Sequence, residues 1–127
     1  MKKILIVDDS EFTRTIHRDI VESAGFKVIE AINGNDALIK FEDQKPDAII
    51  IDLLMPDIDG MDVIKKIMEK YPSTIAIICS TDKQKHRRLD AEELGCKAFL
   101  TKPMDRNIIF NTLDKYFSEN IKRGNNG

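Results

Sequence analysis

No run of apolar residues in this chain of 127 approaches the ~18 needed to cross a bilayer, so no membrane-spanning helix is expected. Neither charge sign dominates. Lysine and arginine number 20 against 22 aspartates and glutamates, a formal charge of −2, which argues against a nucleic-acid or membrane-surface binder, since those need a basic face. Cysteine and histidine are scarce, at two each. Cys79 lies in an apolar run and Cys96 follows Gly95 in a turn, so both read as reduced thiols packed as small hydrophobes. His17 and His86 have no cysteine at ligand spacing, which leaves no zinc arrangement. The opening Met1-Lys2-Lys3 mimics an export signal only briefly, because the apolar stretch at residues 4–7 ends in Asp8-Asp9. A cytoplasmic protein is expected. The length suits one domain and is too short for two.

What is present is a set of five short apolar runs, at residues 4–7, 28–29, 48–51, 75–79 and 98–100. They lack polar alternation, as strands buried on both faces do. Helical patterns lie between them. Phe12, Ile16, Ile20 and Ala24 form a stripe, with Ser10 as N-cap and Gly25 as stop. Ala37, Leu38 and Phe41 follow Asn33-Gly34, and Met61, Ile64, Ile67 and Met68 follow Asp59-Gly60 and end before Tyr71-Pro72. A weaker helix spans about residues 83–94, with Leu89 and Leu94 as its anchors. Ile109, Leu113, Phe117 and Ile121 form the last stripe. The order is a strand and a helix repeated five times. That predicts a doubly wound α/β fold, with five parallel strands between two helical layers. The domain is expected to occupy residues 1–121, with 122–127 as a flexible tail.

Four of the five strands deliver a polar or charged residue to their C-terminal edge, where open α/β sheets bind ligands: Asp8 and Asp9, Asp52, Ser80, and Lys102 before Pro103. Singly, each has a plain reading as a helix cap, a turn residue or a solvated charge. Together they describe a chemistry. Three neighbouring carboxylates repel by on the order of 1–4 kcal/mol per pair at ~4 Å. A hard divalent cation removes that cost, and a few oxygen ligands on an otherwise hydrated ion suit Mg2+. One carboxylate can then act as nucleophile toward phosphorus, with Lys102 and the Ser80 hydroxyl on the phosphoryl oxygens.

The combination resembles the receiver domains of two-component response regulators. The matching residues are Asp8-Asp9-Ser10, Asp52 with Met55-Pro56 and Asp59-Gly60, Ser80 after Ile77-Ile78-Cys79, and Lys102-Pro103, within a resemblance covering residues 2 to about 119. It implies the flavodoxin-like strand order 2-1-3-4-5. It implies that Asp52 takes the phosphoryl group and that Asp9, Asp52 and the Leu54 carbonyl bind Mg2+, with Asp8 holding the ion through water. Ser80 matches the hydroxyl that reorients toward the phosphoryl group, Lys102 its cationic partner, and Phe99 an aromatic switch. Phe99 has no hydroxyl, so any such switch works by ring burial. Thr81 stands where a smaller residue is common, and Met104 where many relatives have Phe.

The implied function is phosphorelay signalling and not substrate turnover. A partner histidine kinase or phosphotransfer protein donates to Asp52, and the domain assists its own phosphorylation and dephosphorylation. An output protein then binds the face formed by helix 4, strand 5 and helix 5. The segment from Asp8 to Arg14 leans toward chemotaxis-type regulators. One alternative is a receiver cut from a longer regulator. Another is a phosphohydrolase with an aspartyl-phosphate intermediate, but those enzymes want a second acid two residues after the first, where Ser10 stands.

Overall fold

The computed structural model describes residues 2–81 and 85–126, with residues 118–126 described by backbone only. Strands and helices alternate along it. They are β1 Lys3–Val7, α1 Glu11–Ser23, β2 Lys27–Ala31, α2 Gly34–Gln44, β3 Ala48–Ile51, α3 Gly60–Lys70, β4 Ile75–Ser80, α4 Lys85–Leu94, β5 Ala98–Thr101 and α5 Arg106–Asn126. All strands pair in parallel, in the order β2-β1-β3-β4-β5. This is the doubly wound α/β sheet expected from the five apolar runs.

Side chains along a strand alternate between faces, so an all-apolar strand feeds two cores at once. Leu5, Val7, Ile49, Ile51 and Ile78 enter one core with Ala37 and Phe41 of α2, Val63, Ile64 and Ile67 of α3, and Ala91 of α4. Ile4, Ile6, Ile50, Ile77 and Cys79 enter the other with Ile20 and Val21 of α1 and Ile109 and Leu113 of α5. Burial on both faces holds for β1, β3 and β4 but not for the whole set. β2 and β5 are the sheet edges, and most of their residues are only half-buried.

Local signals fixed most helix ends. Ser10 caps α1 by accepting the Thr13 N–H, and Asn33 caps α2 by accepting the Asp36 N–H. Gly25 and Gly95, both at φ 96°, carry the chain out of α1 and α4 in the left-handed region that glycine adopts without a Cβ penalty.

Two apolar stripes were misplaced. In α1 the buried residues are His17, Ile20 and Val21, whereas Phe12 is 77% exposed and Ile16 is also exposed. The four-residue spacing drifts around a helix of 3.6 residues per turn, so its first members face outward. In α4 the buried residue is Ala91, half-buried Leu94 packs on the core, and Leu89 is exposed. The expected start of that helix at Lys83 lies outside the described residues.

In α5, Ile109 and Leu113 are buried as expected. Phe117 departs from helical dihedrals at φ −131° and ψ 34°, and meets Phe26 edge-on with ring centroids 5.5 Å apart. The helical backbone resumes and continues to Asn126, past the boundary expected at residue 121. The Ile121 side chain lies outside the described residues.

Candidate functional site

The strand register places the site. Val7 pairs with both Ala31 and Ile51, so β1, β2 and β3 end level with one another. The next residues continue the ladder. Asp8 donates its N–H to the Ala31 carbonyl at 3.2 Å and Asp52 donates to Val7 at 3.1 Å. Asp8 and Asp52 are therefore side by side and buried, and Asp9 is exposed beside them. One oxygen from each of the three carboxylates lies within 4.8 Å of the others. Oxygen ligands at ~2.1 Å from one Mg2+ sit at most ~4.2 Å apart, so a small side-chain adjustment brings this all-oxygen set onto one hard cation. The donor set fits the ion.

Lys102, the residue after β5, completes the constellation. Its Nζ is 2.6 Å from Asp8 Oδ2 and 2.8 Å from Asp52 Oδ2. Burial alone would lower its pKa, but hydrogen bonds and charge from Asp52 and Asp8 outweigh that and hold the pKa above its ordinary value. The side chain is thus an ammonium. Ser80 ends β4 and is fully buried, and its carbonyl accepts the Lys102 N–H at 3.0 Å. The structure brings Asp8, Asp9, Asp52, Ser80 and Lys102 to one end of the sheet.

Backbone donors fix the carboxylates further. Asp8 Oδ1 accepts the Ser10 N–H at 2.9 Å, and Asp52 Oδ1 accepts the Leu54 N–H at 3.2 Å. The Leu54 side chain is exposed just beyond Asp52. The loop returns against its own start at Gly60. The Gly60 N–H donates to the Leu53 carbonyl at 3.0 Å, and a Cβ at this position would lie 2.3 Å from the Asp52 carbonyl oxygen. Only glycine permits that approach, which gives Asp59-Gly60 a steric meaning.

Phe99, the expected switch residue, stands apart from this cluster. It is half-buried on β5, with the Arg88 guanidinium 5.0 Å from its ring centroid.

Three features were not read from the sequence. Arg14 donates to the Asp8 carbonyl at 2.8 Å and pairs with Glu30 at 3.1 Å, tying α1 and β2 to the site. His17 is buried, and burial pushes its pKa below the ordinary value; Lys102 adds to that, while Asp8 and Asp52 oppose it. Phe12, Ile16, Thr81, Pro103 and Met104 line an apolar cavity of about 240 Å³ that reaches His17 and Lys102. The exposure of Phe12 explains the misplaced α1 stripe, because that residue faces the rim of the site and not the core.

The model of the response regulator receiver domain matches residues 4–114. The chain belongs to the response regulator receiver family. Receiver domains are phosphorylated on an aspartate in signal transduction, and that is the function of this one. This receiver is 40% identical over 116 residues to the chemotaxis protein CheY of Listeria monocytogenes, spanning 91% of this chain and 98% of that protein. It is 38% identical over 115 residues to CheY of Thermotoga maritima, spanning 90% and 96%. Among solved structures it is similar to CheY in the CheX–CheY–BeF3–Mg complex from Borrelia burgdorferi. The TM-score is 0.86 at 32% identity, over 91% of this chain and 89% of that one. Among the described residues, no helix of this receiver is long and apolar enough to cross a membrane.

Proposed function

We propose that Asp52 is the phosphoacceptor of a Mg2+-dependent cytoplasmic signalling switch. The observation that carries this is Lys102 Nζ lying between Asp52 and Asp8, at 2.8 and 2.6 Å, beside the exposed Asp9. Asp9 and Asp52, with the Leu54 carbonyl, would hold the ion, and Asp8 would hold it through water. When bound, Mg2+ neutralises charge on the transferring phosphoryl oxygens.

The chain's own residues do the rest. An Asp52 carboxylate oxygen forms the new bond to phosphorus as the phosphorus–nitrogen bond of a donor phosphohistidine breaks. The electron pair leaves with the donor imidazole, which takes up a proton. Lys102 follows the new charge by exchanging a carboxylate contact for a phosphoryl oxygen, and the Ser80 hydroxyl donates to another. The apolar rim of Phe12, Ile16 and Pro103 suits the helix of a histidine kinase or phosphotransfer protein, with Thr81 and Met104 completing the wall.

The resulting acyl phosphate shifts a two-state equilibrium in α4, β5 and α5, and that face, carrying Phe99, binds the output protein. The likeness to CheY proteins favours a chemotaxis-type partner. Intact-mass measurement after acetyl phosphate treatment tests the reading. One added phosphoryl group is expected with Mg2+ and none with a chelator. Equal incorporation in both would refute the metal's role.

A further inference from the structure

The segment from Leu53 to Asp59 joins the phosphoacceptor strand to α3. Its two ends are fixed, by Asp52 in the ladder and by Gly60 folded back on Leu53. Its middle is irregular, with Leu54, Pro56 and Asp57 exposed. Among the described residues, the side-chain hydrogen bonds tying that middle to another element come from Asp57. Its Oδ1 accepts the Gly34 N–H at 3.0 Å and its Oδ2 accepts the Asn35 N–H at 2.9 Å.

These are the first N–H groups of α2, which lack partners inside their own helix and favour a negative charge. They hold the Asp57 carboxyl below the usual range, Asn35 most of all. Gly34 makes the approach possible. A Cβ there would lie 2.9 Å from Ile58 Cβ and 3.1 Å from Val63 Cγ2. The helix start and the loop are thus shaped to meet.

We propose that Asp57 is a positioning residue for the metal site, clamping the loop to α2 and so limiting how far the Leu54 carbonyl, a proposed ligand, can move. This rests on the reading of that cluster as a Mg2+ site. Asp57 touches neither ion nor phosphoryl group. It acts by denying Leu54 the freedom that an untethered loop would have.

The test is Mg2+ titration by calorimetry of wild type, Asp57→Ala, Asp57→Asn and Glu42→Ala. Glu42 bonds Lys70 and Tyr71 away from the site and controls for a general loss of stability. Asp57→Ala is expected to bind Mg2+ about 10-fold more weakly, the loss typical when an outer partner of a metal ligand is removed. Asp57→Asn, which keeps one acceptor oxygen, should fall between, and Glu42→Ala should match wild type. Amide exchange at Leu54 and Met55 should quicken in Asp57→Ala without metal. Wild-type affinity in Asp57→Ala, or equal weakening in Glu42→Ala, would overturn the inference. Absence of Mg2+ binding by the wild type would instead refute the metal site itself, and this inference with it. If Asp57→Ala fails to fold, the Asp57→Asn comparison decides alone.

Discussion

One nitrogen of Arg87, Nη2, lies 2.8 Å from both carboxylate oxygens of Asp59, fastening α4 to the residue that caps α3. Asp59 in turn precedes Gly60, which packs on the Asp52 carbonyl. The loop after Asp52 and helix α4 are therefore mechanically adjacent.

That tether is a weak one. Arg87 and Asp59 are both partly exposed, and such pairs contribute about 1 kcal/mol or less. The buried residue of α4 is Ala91, with Leu94 half-buried, against buried Ile109 and Leu113 for α5. The helix also carries bases early and acids late, opposite to its dipole, by roughly 0.3–1 kcal/mol per charge. Amides of residues 85–93 should exchange faster than those of residues 109–116 in the unphosphorylated protein, and Arg87→Ala should widen the gap. Equal protection in the two helices would remove α4 as the mobile element.

Gly60→Ala should destabilise the fold by about 1–3 kcal/mol, because the new methyl must displace the Asp52 carbonyl. Mg2+ affinity should fall with it. Urea unfolding and metal titration read the two effects, and a variant matching wild type in both would show that the loop yields without cost.

Stability should also depend on His17. Its folded pKa lies below its unfolded value near 6.5, so the unfolded chain takes up a proton before the native one does. Its contribution is present above about pH 6.5 and is lost as pH falls through the folded pKa. His17→Gln should flatten the decline in stability as pH falls below about 6.5. An unchanged slope would mean that other groups set it.

Leu54 stands exposed beside Asp52 and can neither accept from nor donate to water through its side chain. Leu54→Asn should hasten loss of the phosphoryl group, measured as phosphate release after donor removal. A slower loss would have the wrong sign for shielding by leucine.

Fold and site differed in how far the sequence disclosed them. Buried parallel strands are all-apolar, so residues 4–7, 48–51 and 75–79 stand out, and the polar residues that follow them can be picked out as a candidate cluster. The edge strands were found but overrated in burial, because a short run of Val, Ile or Phe looks alike at an edge and in the centre. Phe12 and Ile16 share the α1 stripe with buried Ile20 yet are exposed, because an apolar residue near a site rim carries no local mark of its exposure. The roles of Arg14, Asp57 and Arg87 were illegible for another reason. Each depends on a contact with an element distant in sequence, and no periodicity records that.

The proposed switch turns on Asp52 as the residue that carries the phosphoryl group. Treat the protein with acetyl phosphate and Mg2+, reduce the acyl phosphate with borohydride, and map the modified residue by peptide mass spectrometry. The reduced residue should be Asp52, and Asp52→Asn should give none. Trapping at full yield in Asp52→Asn, or at Asp8 or Asp9 in the wild type, would place the phosphoryl group on another residue.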